Sequence, residues 1–90
     1  MYKHIYTIFN DTEISHTSID RKGNVTVHCE TPDEDICFKT FEYKIPLNME
    51  ISNLGYSDDE IDMLIHFIQK KSDEIMGSAM KLNSELLSVK

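Results

Sequence analysis

Apolar and polar residues alternate through the first half of the chain with the two-residue period of β-strands. The alternation is clearest at Val25, Val27 and Cys29, which would share one face of a strand. Turn-forming residues separate the successive stretches, and such short connections favour antiparallel neighbours. Residues 1–52 therefore predict an antiparallel meander of four strands, with a short fifth if the alternating residues 47–51 also form a strand.

The four main strands are predicted at residues 2–9, 13–19, 25–29 and 36–45. A loop is predicted at residues 30–35, because Pro32 cannot donate a hydrogen bond within a central strand. In the fourth strand, Ile36 and Phe38 are out of phase with the apolar residues that follow them. A β-bulge near Lys39 or Thr40 would reconcile the two phases.

From Ser57 onward the apolar period becomes that of an α-helix. Ser57 is a good N-cap, and Glu60 three residues later completes the capping box pattern. The predicted helix spans residues 57–88 and would pack on one face of the sheet. The sequence therefore predicts an α+β fold in a single small domain over residues 1–90.

This helix is longer than the sheet on which it would pack. It would span about 48 Å, whereas a chain of this size folds to a diameter of about 30 Å. Gly77–Ser78 is the weakest helix-forming point. The helix therefore either breaks near Gly77 and folds back, or continues and presents an apolar face to another chain. The second alternative is favoured, since a small sheet has little room for a folded-back helix, and it predicts a homodimer.

Some apolar residues of the helix would be left for a protein interface. Met63 and Phe67 lie on the outer flank, where they would cover the sheet edge or join an interface rich in aromatic residues and methionine. The full set expected at the interface is Met63, Phe67, Met80, Leu82, Leu86 and Leu87.

The acidic balance of the chain limits its partners. A formal net charge of −7 argues against direct binding to nucleic acid, which requires clustered lysine and arginine. The acidic residues concentrate in two stretches: Glu30, Asp33, Glu34 and Asp35, then Asp58, Asp59 and Asp62. Solvated surfaces are the simplest interpretation. The alternative is an inhibitor protein of a mobile genetic element that imitates nucleic acid and docks on a basic partner.

Three histidines form a pattern that could bind a metal. His4, His16 and His28 are spaced evenly by twelve residues, so suitable hairpin registers would align them across three strands. Such a row could bind Zn²⁺ or another transition metal. A slip of one residue would move a histidine to the other face, so polar residues on a solvent-exposed face are the simpler interpretation.

The two cysteines and the remaining motifs give no sign of catalysis. Cys29 and Cys37 lie symmetrically about Asp33, a register that would place them opposite each other and within reach of a disulfide. No nucleophile with an adjacent base, phosphate-binding loop or paired carboxylates stand out, so neither an enzyme nor a cofactor is expected.

Nothing in the chain predicts a membrane span or a signal peptide, so the expected location is cytoplasmic. The leading functional hypothesis is a non-enzymatic module that binds another protein or a second copy of itself.

Overall fold

A five-stranded antiparallel sheet and two helices form the structure. The computed structural model describes the backbone of residues 4–88 and the side chains of residues 4–84. The elements are, in chain order, β1 (His4–Phe9), β2 (Thr12–His16), β3 (Val25–Asp33), β4 (Cys37–Ile45), β5 (Met49–Leu54), α1 (Asp58–Lys70) and α2 (Ser72–Ser88). Each strand pairs with the next one along the chain, which confirms the predicted α+β meander with its fifth strand.

The helices pack on one face of the sheet, here called the inner face, and leave the other face, the open face, uncovered. The sheet buries alternate residues on the inner face: Ile14, Val25, Val27, Cys29, Phe41, Tyr43 and Ile45. The helices contribute Ile61, Leu64, Ile68, Ile75, Ala79 and Leu82. Full burial of a large aliphatic side chain stabilises the fold by about 1.5–3 kcal/mol, so this layer supplies most of the favourable free energy.

The start of α1 is fixed as the sequence predicts. Glu60 N–H donates to Ser57 Oγ over 3.3 Å, and Ser57 N–H donates to the Glu60 carboxylate over 2.9 Å, which confirms the capping box. Lys39 Nζ lies 3.0 Å from the same carboxylate and ties α1 to β4. The Ser57 amide and the Lys39 ammonium together lower the pKa of Glu60.

The helical segment bends at Lys71 and then continues through Gly77, so of the two alternatives the break near Gly77 is wrong. Lys71 N–H still donates to Phe67 O over 3.0 Å, and Ile75 N–H donates to Lys71 O over 2.9 Å, so the bend costs little hydrogen bonding. It keeps Ile68 and Ile75, on either side, fully buried on one curved sheet. No helix within residues 4–88 is long and apolar enough to cross a membrane.

The loop between β2 and β3 covers the distal part of α2. Leu82 is only 6% exposed, so the prediction that it needs cover from another chain is wrong. Asn83 anchors the loop: its Oδ1 accepts a hydrogen bond from Ile19 N–H over 2.8 Å, and its Nδ2 donates to Ile19 O over 3.4 Å. The side chains of Leu86 and Leu87 lie outside the described residues.

β3 continues through Pro32, where the sequence predicts a loop. Pro32 pairs with Phe38 of β4, whereas β2 pairs with β3 only as far as Glu30. One side of β3 therefore has no neighbouring strand at Pro32, and the missing N–H leaves no bond of the sheet unmade.

The regular ladder between β3 and β4 separates the two cysteines. It pairs Asp33 with Cys37 and Cys29 with Phe41, so the register centred on Asp33 is wrong and the cysteines do not face each other. The β3–β4 ladder also has no bulge near residue 39, where one was expected. The turn is centred two residues later than expected, because Cys37 adopts a left-handed φ of 71°. Cys37 is exposed, while burial raises the pKa of the Cys29 thiol to about 12.

Candidate protein-binding surface

A β-bulge in β5 decides which side chains project from the open face. The β4–β5 ladder shifts register after Glu42, which makes Ile51 an extra residue in β5. In an uninterrupted strand, Met49, Ile51 and Asn53 would share one face. The bulge instead places Leu54 on the open face with Met49 and turns Asn53 toward the helices.

With Phe38 of the neighbouring strand β4, four large apolar side chains project from the open face near this edge. They are Phe38, Met49, Ile51 and Leu54, here called the open-face patch, and each is between 44% and 58% exposed. All six residues of β5 are exposed, and the described part of the chain places no element over them. Exposed apolar residues that cluster in this way mark interaction surfaces in soluble proteins.

The patch is uncovered because it lies on the face opposite the helices, and the helix layer itself reaches the β1 edge but not β5. Phe9 of β1 stacks on Phe67 of α1 with ring centroids 4.7 Å apart. Tyr6 Oη donates to the Glu74 carboxylate of α2 over 2.9 Å. On the other side of the molecule, Glu50 of β5 faces the helix layer but stays exposed, since no helix lies above it.

The centre of the open face is polar and internally paired. His28 lies between two carboxylates, with Nδ1 3.2 Å from Glu42 and Nε2 3.6 Å from Glu30. The two carboxylates contact different ring nitrogens, so they fix the ring rather than converge on one metal ion. Lys44 pairs with Asp20 at 3.7 Å. The centre therefore forms a polar border beside the open-face patch.

The predicted histidine row is only half correct. His4 does pair with His16, and their ring centroids are 5.3 Å apart. However, His28 pairs with Ser15, so a register one residue away from the expected one places it on the opposite face. The three histidines therefore do not form the single row that could bind a metal, and no group of three or more potential ligands converges within the described residues.

His16 has a structural role instead. It is fully buried, its Nδ1 donates to Thr17 O over 2.8 Å, and its Nε2 accepts a hydrogen bond from Ser78 Oγ over 2.8 Å. Burial lowers the pKa of His16. The neutral imidazole therefore links β2 to α2, with both ring nitrogens satisfied.

The two acidic stretches meet at one end of the sheet. The segment before α1 packs against the β3–β4 turn so closely that a Cβ on Gly55 would lie 2.6 Å from the Ile36 side chain. The residues at this acidic end are Asp33, Glu34, Asp35, Asp58 and Asp59.

Three acidic residues have other roles. Asp33 shapes its own turn, since its Oδ2 accepts hydrogen bonds from Asp35 N–H and Ile36 N–H over 3.0 and 3.2 Å. Glu30 faces His28 on the open face, and Asp62 lies farther along α1, so neither belongs to the acidic end. The predicted acidic surface is therefore divided among the acidic end, the open face and the middle of α1.

The predicted interface residues are also divided. Met63 and Met80 are exposed, whereas Phe67 packs on Phe9 and covers the β1 edge. Sequence reasoning missed the open-face patch, because a bulge has no simple residue signature. The out-of-phase position of Phe38 was the available signal.

Comparison of the chain with protein-family models, curated proteins and solved structures finds no match.

Proposed function

We propose that this chain is a non-enzymatic protein-binding module that docks its partner on the open-face patch. One observation carries the proposal: the bulge at Ile51 gathers Met49, Ile51 and Leu54 on a face that no helix covers. Aromatic residues and methionine are enriched at interface centres, and Phe38 and Met49 fit that composition. The paired charges beside them would form the polar rim.

The free energy available from the patch suggests that backbone contacts also take part. Burying the exposed half of four large side chains contributes roughly 3–5 kcal/mol, whereas a micromolar complex requires about 8 kcal/mol after association costs. The outer edge of β5 offers unpaired N–H and C=O groups to a partner strand. The bulge and the charge of Glu50 make open-ended strand pairing unfavourable, so one specific partner fits better than a polymer.

The first test is the solution mass of the full chain, measured by light scattering over a concentration series. The disrupting variant is Leu54→Arg, and the matched control is Ile8→Arg. Ile8 is 69% exposed on the same face but at the opposite edge. If the partner is a second copy, the wild-type and Ile8→Arg proteins approach twice the monomer mass and Leu54→Arg does not.

If all three proteins are monomers, the partner is another protein. Affinity purification from the source cell, with the same three baits, then identifies proteins retained by wild type and Ile8→Arg but lost with Leu54→Arg. Identical retention by all three baits contradicts the proposal.

A second candidate function is an acidic inhibitor, encoded by a mobile genetic element, that docks on a basic partner. It is favoured by the meeting of Glu34 and Asp35 with Asp58 and Asp59 at one end. We expect binding to a nucleic-acid-handling protein to weaken steeply between about 50 and 200 mM salt. Amide variants of these four residues, which spare the turn-shaping Asp33, should abolish that binding. Unchanged binding by the variants contradicts this function.

The proposed cellular location is the cytoplasm. Cys29 is buried and Cys37 is exposed on a different part of the hairpin, an arrangement suited to a reducing compartment. Alkylation of protein taken directly from cells should find Cys37 as a free thiol. A mixed disulfide at Cys37 in all molecules would contradict that location.

A further inference from the structure

We infer that the β1 edge binds an extended peptide as a sixth strand, and that this peptide carries an apolar residue followed two positions later by an acidic one. The inference concerns the opposite edge from the open-face patch and does not depend on it. Two independent features meet there: an apolar groove beside α1 and an unpaired strand edge.

The groove lies between β1 and the outer flank of α1. Its volume is about 560 Å³, within the range of about 300–1,000 Å³ that is typical of ligand sites. It is open along its length, which suits a chain segment better than an enclosed small molecule. It is lined by Phe9 of β1 and by Asp62, Met63, His66, Phe67 and Lys70, with Lys71 at the bend.

The wall of the groove is apolar and already ordered. The Phe9 and Phe67 rings are stacked almost parallel, 17° apart, so neither has to reorganise when a ligand arrives. Met63 is 56% exposed beside them and can adapt to the shape of an incoming side chain. An aliphatic or aromatic side chain of the partner would therefore pack against Phe9, Met63 and Phe67.

The free edge of β1 supplies the backbone contacts. Thr7, Ile8 and Phe9 pair regularly with β2, and no other strand within residues 4–88 lies on their outer side. An added strand would lie about 4.8 Å away, with alternate side chains on the inner face. Phe9 lies on that face, so these side chains would point toward the groove. Strand addition with side-chain pockets is an established mode of peptide recognition.

The charge of the groove selects an acidic residue. In a chain with a net charge of −7, Lys70 and Lys71 lie at the C-terminal end of the helical wall, with His66 one turn before Lys70, whereas Asp62 lines the other end. Lys71 pairs with Glu74 at 3.4 Å, whereas Lys70 forms no ion pair with any residue the structure describes. A carboxylate on the peptide would provide the partner that Lys70 lacks.

The direction of the strands gives the order of the two residues. β1 runs opposite to the helices, since Phe9 contacts Phe67 and Tyr6 contacts Glu74. A peptide antiparallel to β1 would pass the aromatic wall first and Lys70 second. Inner-face side chains lie about 6.6 Å apart along a strand, which gives the pattern apolar, any residue, then aspartate or glutamate.

The test begins with selection from a random library of linear peptides on the immobilised full chain. We expect the enriched sequences to share the apolar–any–acidic pattern. An enriched peptide is then titrated into the ¹⁵N-labelled chain, and amide shifts are expected at residues 7–9 and 62–71. Replacing the acidic residue of the peptide with its amide should weaken binding about tenfold, the effect of losing one charge-assisted contact.

Three surface variants distinguish peptide binding at the groove from binding at other sites. Lys70→Glu should weaken peptide binding tenfold or more, while Lys22→Glu, the same change in the exposed loop after β2, should leave it unchanged. Leu54→Arg should also leave it unchanged, which keeps this result distinct from the test of the open-face patch. The inference is overturned if no peptide is enriched, if Lys70→Glu binds as wild type does, or if the shifts map to β5.

Discussion

The two edge strands of this sheet each contain one β-bulge, with opposite results. In β1 the extra residue is Tyr6, and the shift places Phe9 on the inner face, where it stacks on Phe67. In β5 the extra residue is Ile51, and the shift places Leu54 on the open face, where it stays 58% exposed. The same backbone irregularity thus adds an aromatic contact with the helix layer at one edge and an exposed apolar side chain at the other.

The difference comes from the position of the helix layer. α1 and α2 lie over the β1 side, so a side chain turned inward there finds a partner. β5 lies beyond the helices, and even its inward-facing Glu50 is exposed. Phe9 at the β1 edge therefore contacts the helix layer, whereas Leu54 at the β5 edge faces the open side and makes no such contact. Four changes test this distinction, from the largest expected effect to the smallest.

Loss of a buried side chain of α2 should have the largest effect on the free energy of unfolding. Leu82→Ala removes a side chain of α2 that is only 6% exposed, and should lower the free energy of unfolding by about 2–4 kcal/mol. The control is Met80→Ala on the same helix, 61% exposed, which should change it by less than about 0.5 kcal/mol. Urea denaturation measures both. Equal changes in the free energy of unfolding for the two variants would contradict the burial of Leu82.

Each bulge changes the face on which one side chain lies: Phe9 in β1 and Leu54 in β5. Replacing each of them with alanine compares the two edges directly. Phe9→Ala should lower the free energy of unfolding by about 1–2 kcal/mol, since it removes a half-buried ring and its stack. Leu54→Ala should cost less than about 0.5 kcal/mol. Thermal unfolding of the two variants measures the difference. A Leu54→Ala variant as unstable as Phe9→Ala would show that β5 is not a free edge.

The glycines near each edge should respond to alanine with opposite signs. Gly55, which follows β5, has φ of +94°, so Gly55→Ala should destabilise the fold by about 1–2 kcal/mol. Gly77 lies inside α2 with nothing within 4 Å of an added Cβ, so Gly77→Ala should stabilise it by about 0.5–1 kcal/mol. Denaturation midpoints measure both changes. A destabilising Gly77→Ala would contradict an open environment at that position.

Acidification should lower the free energy of unfolding, because His16 is buried beneath α2. Burial lowers the pKa of His16 in the folded chain below its ordinary value of 6.5. The unfolded chain therefore binds more protons between these two pKa values, so the free energy of unfolding falls as the pH drops below about 6.5. It levels off below the pKa of the folded chain. Urea titrations across this range should show the slope in wild type and a smaller slope in His16→Gln, and equal slopes would contradict it.

The sequence predicts those parts of the fold that depend on local patterns. The alternation of Val25, Val27 and Cys29 gave a strand, and the Ser57–Glu60 capping box gave the start of α1. Short connections gave the meander, because hairpins require few residues and no crossover. Each of these features depends on residues close together in the chain.

The errors arise where one residue of register or one long-range contact decides the outcome. His28 lies on the unexpected face, and Cys37 does not face Cys29, because each hairpin differs from the expected register. The bend at Lys71 replaces a break at Gly77, since the burial of Ile75 on the sheet outweighs the low helix propensity of glycine. No local pattern encodes these choices.

The contacts of α2 are made with residues that are synthesised much earlier in the chain. Tyr6–Glu74, His16–Ser78 and Ile19–Asn83 join residues 62 to 68 positions apart, whereas the hairpins close within a few residues. All five strands are therefore synthesised before the helices that cover them. At about 5–20 residues per second, production of residues 58–88 takes roughly 2–6 s. During that interval neither helix is available to cover the apolar residues of the inner face.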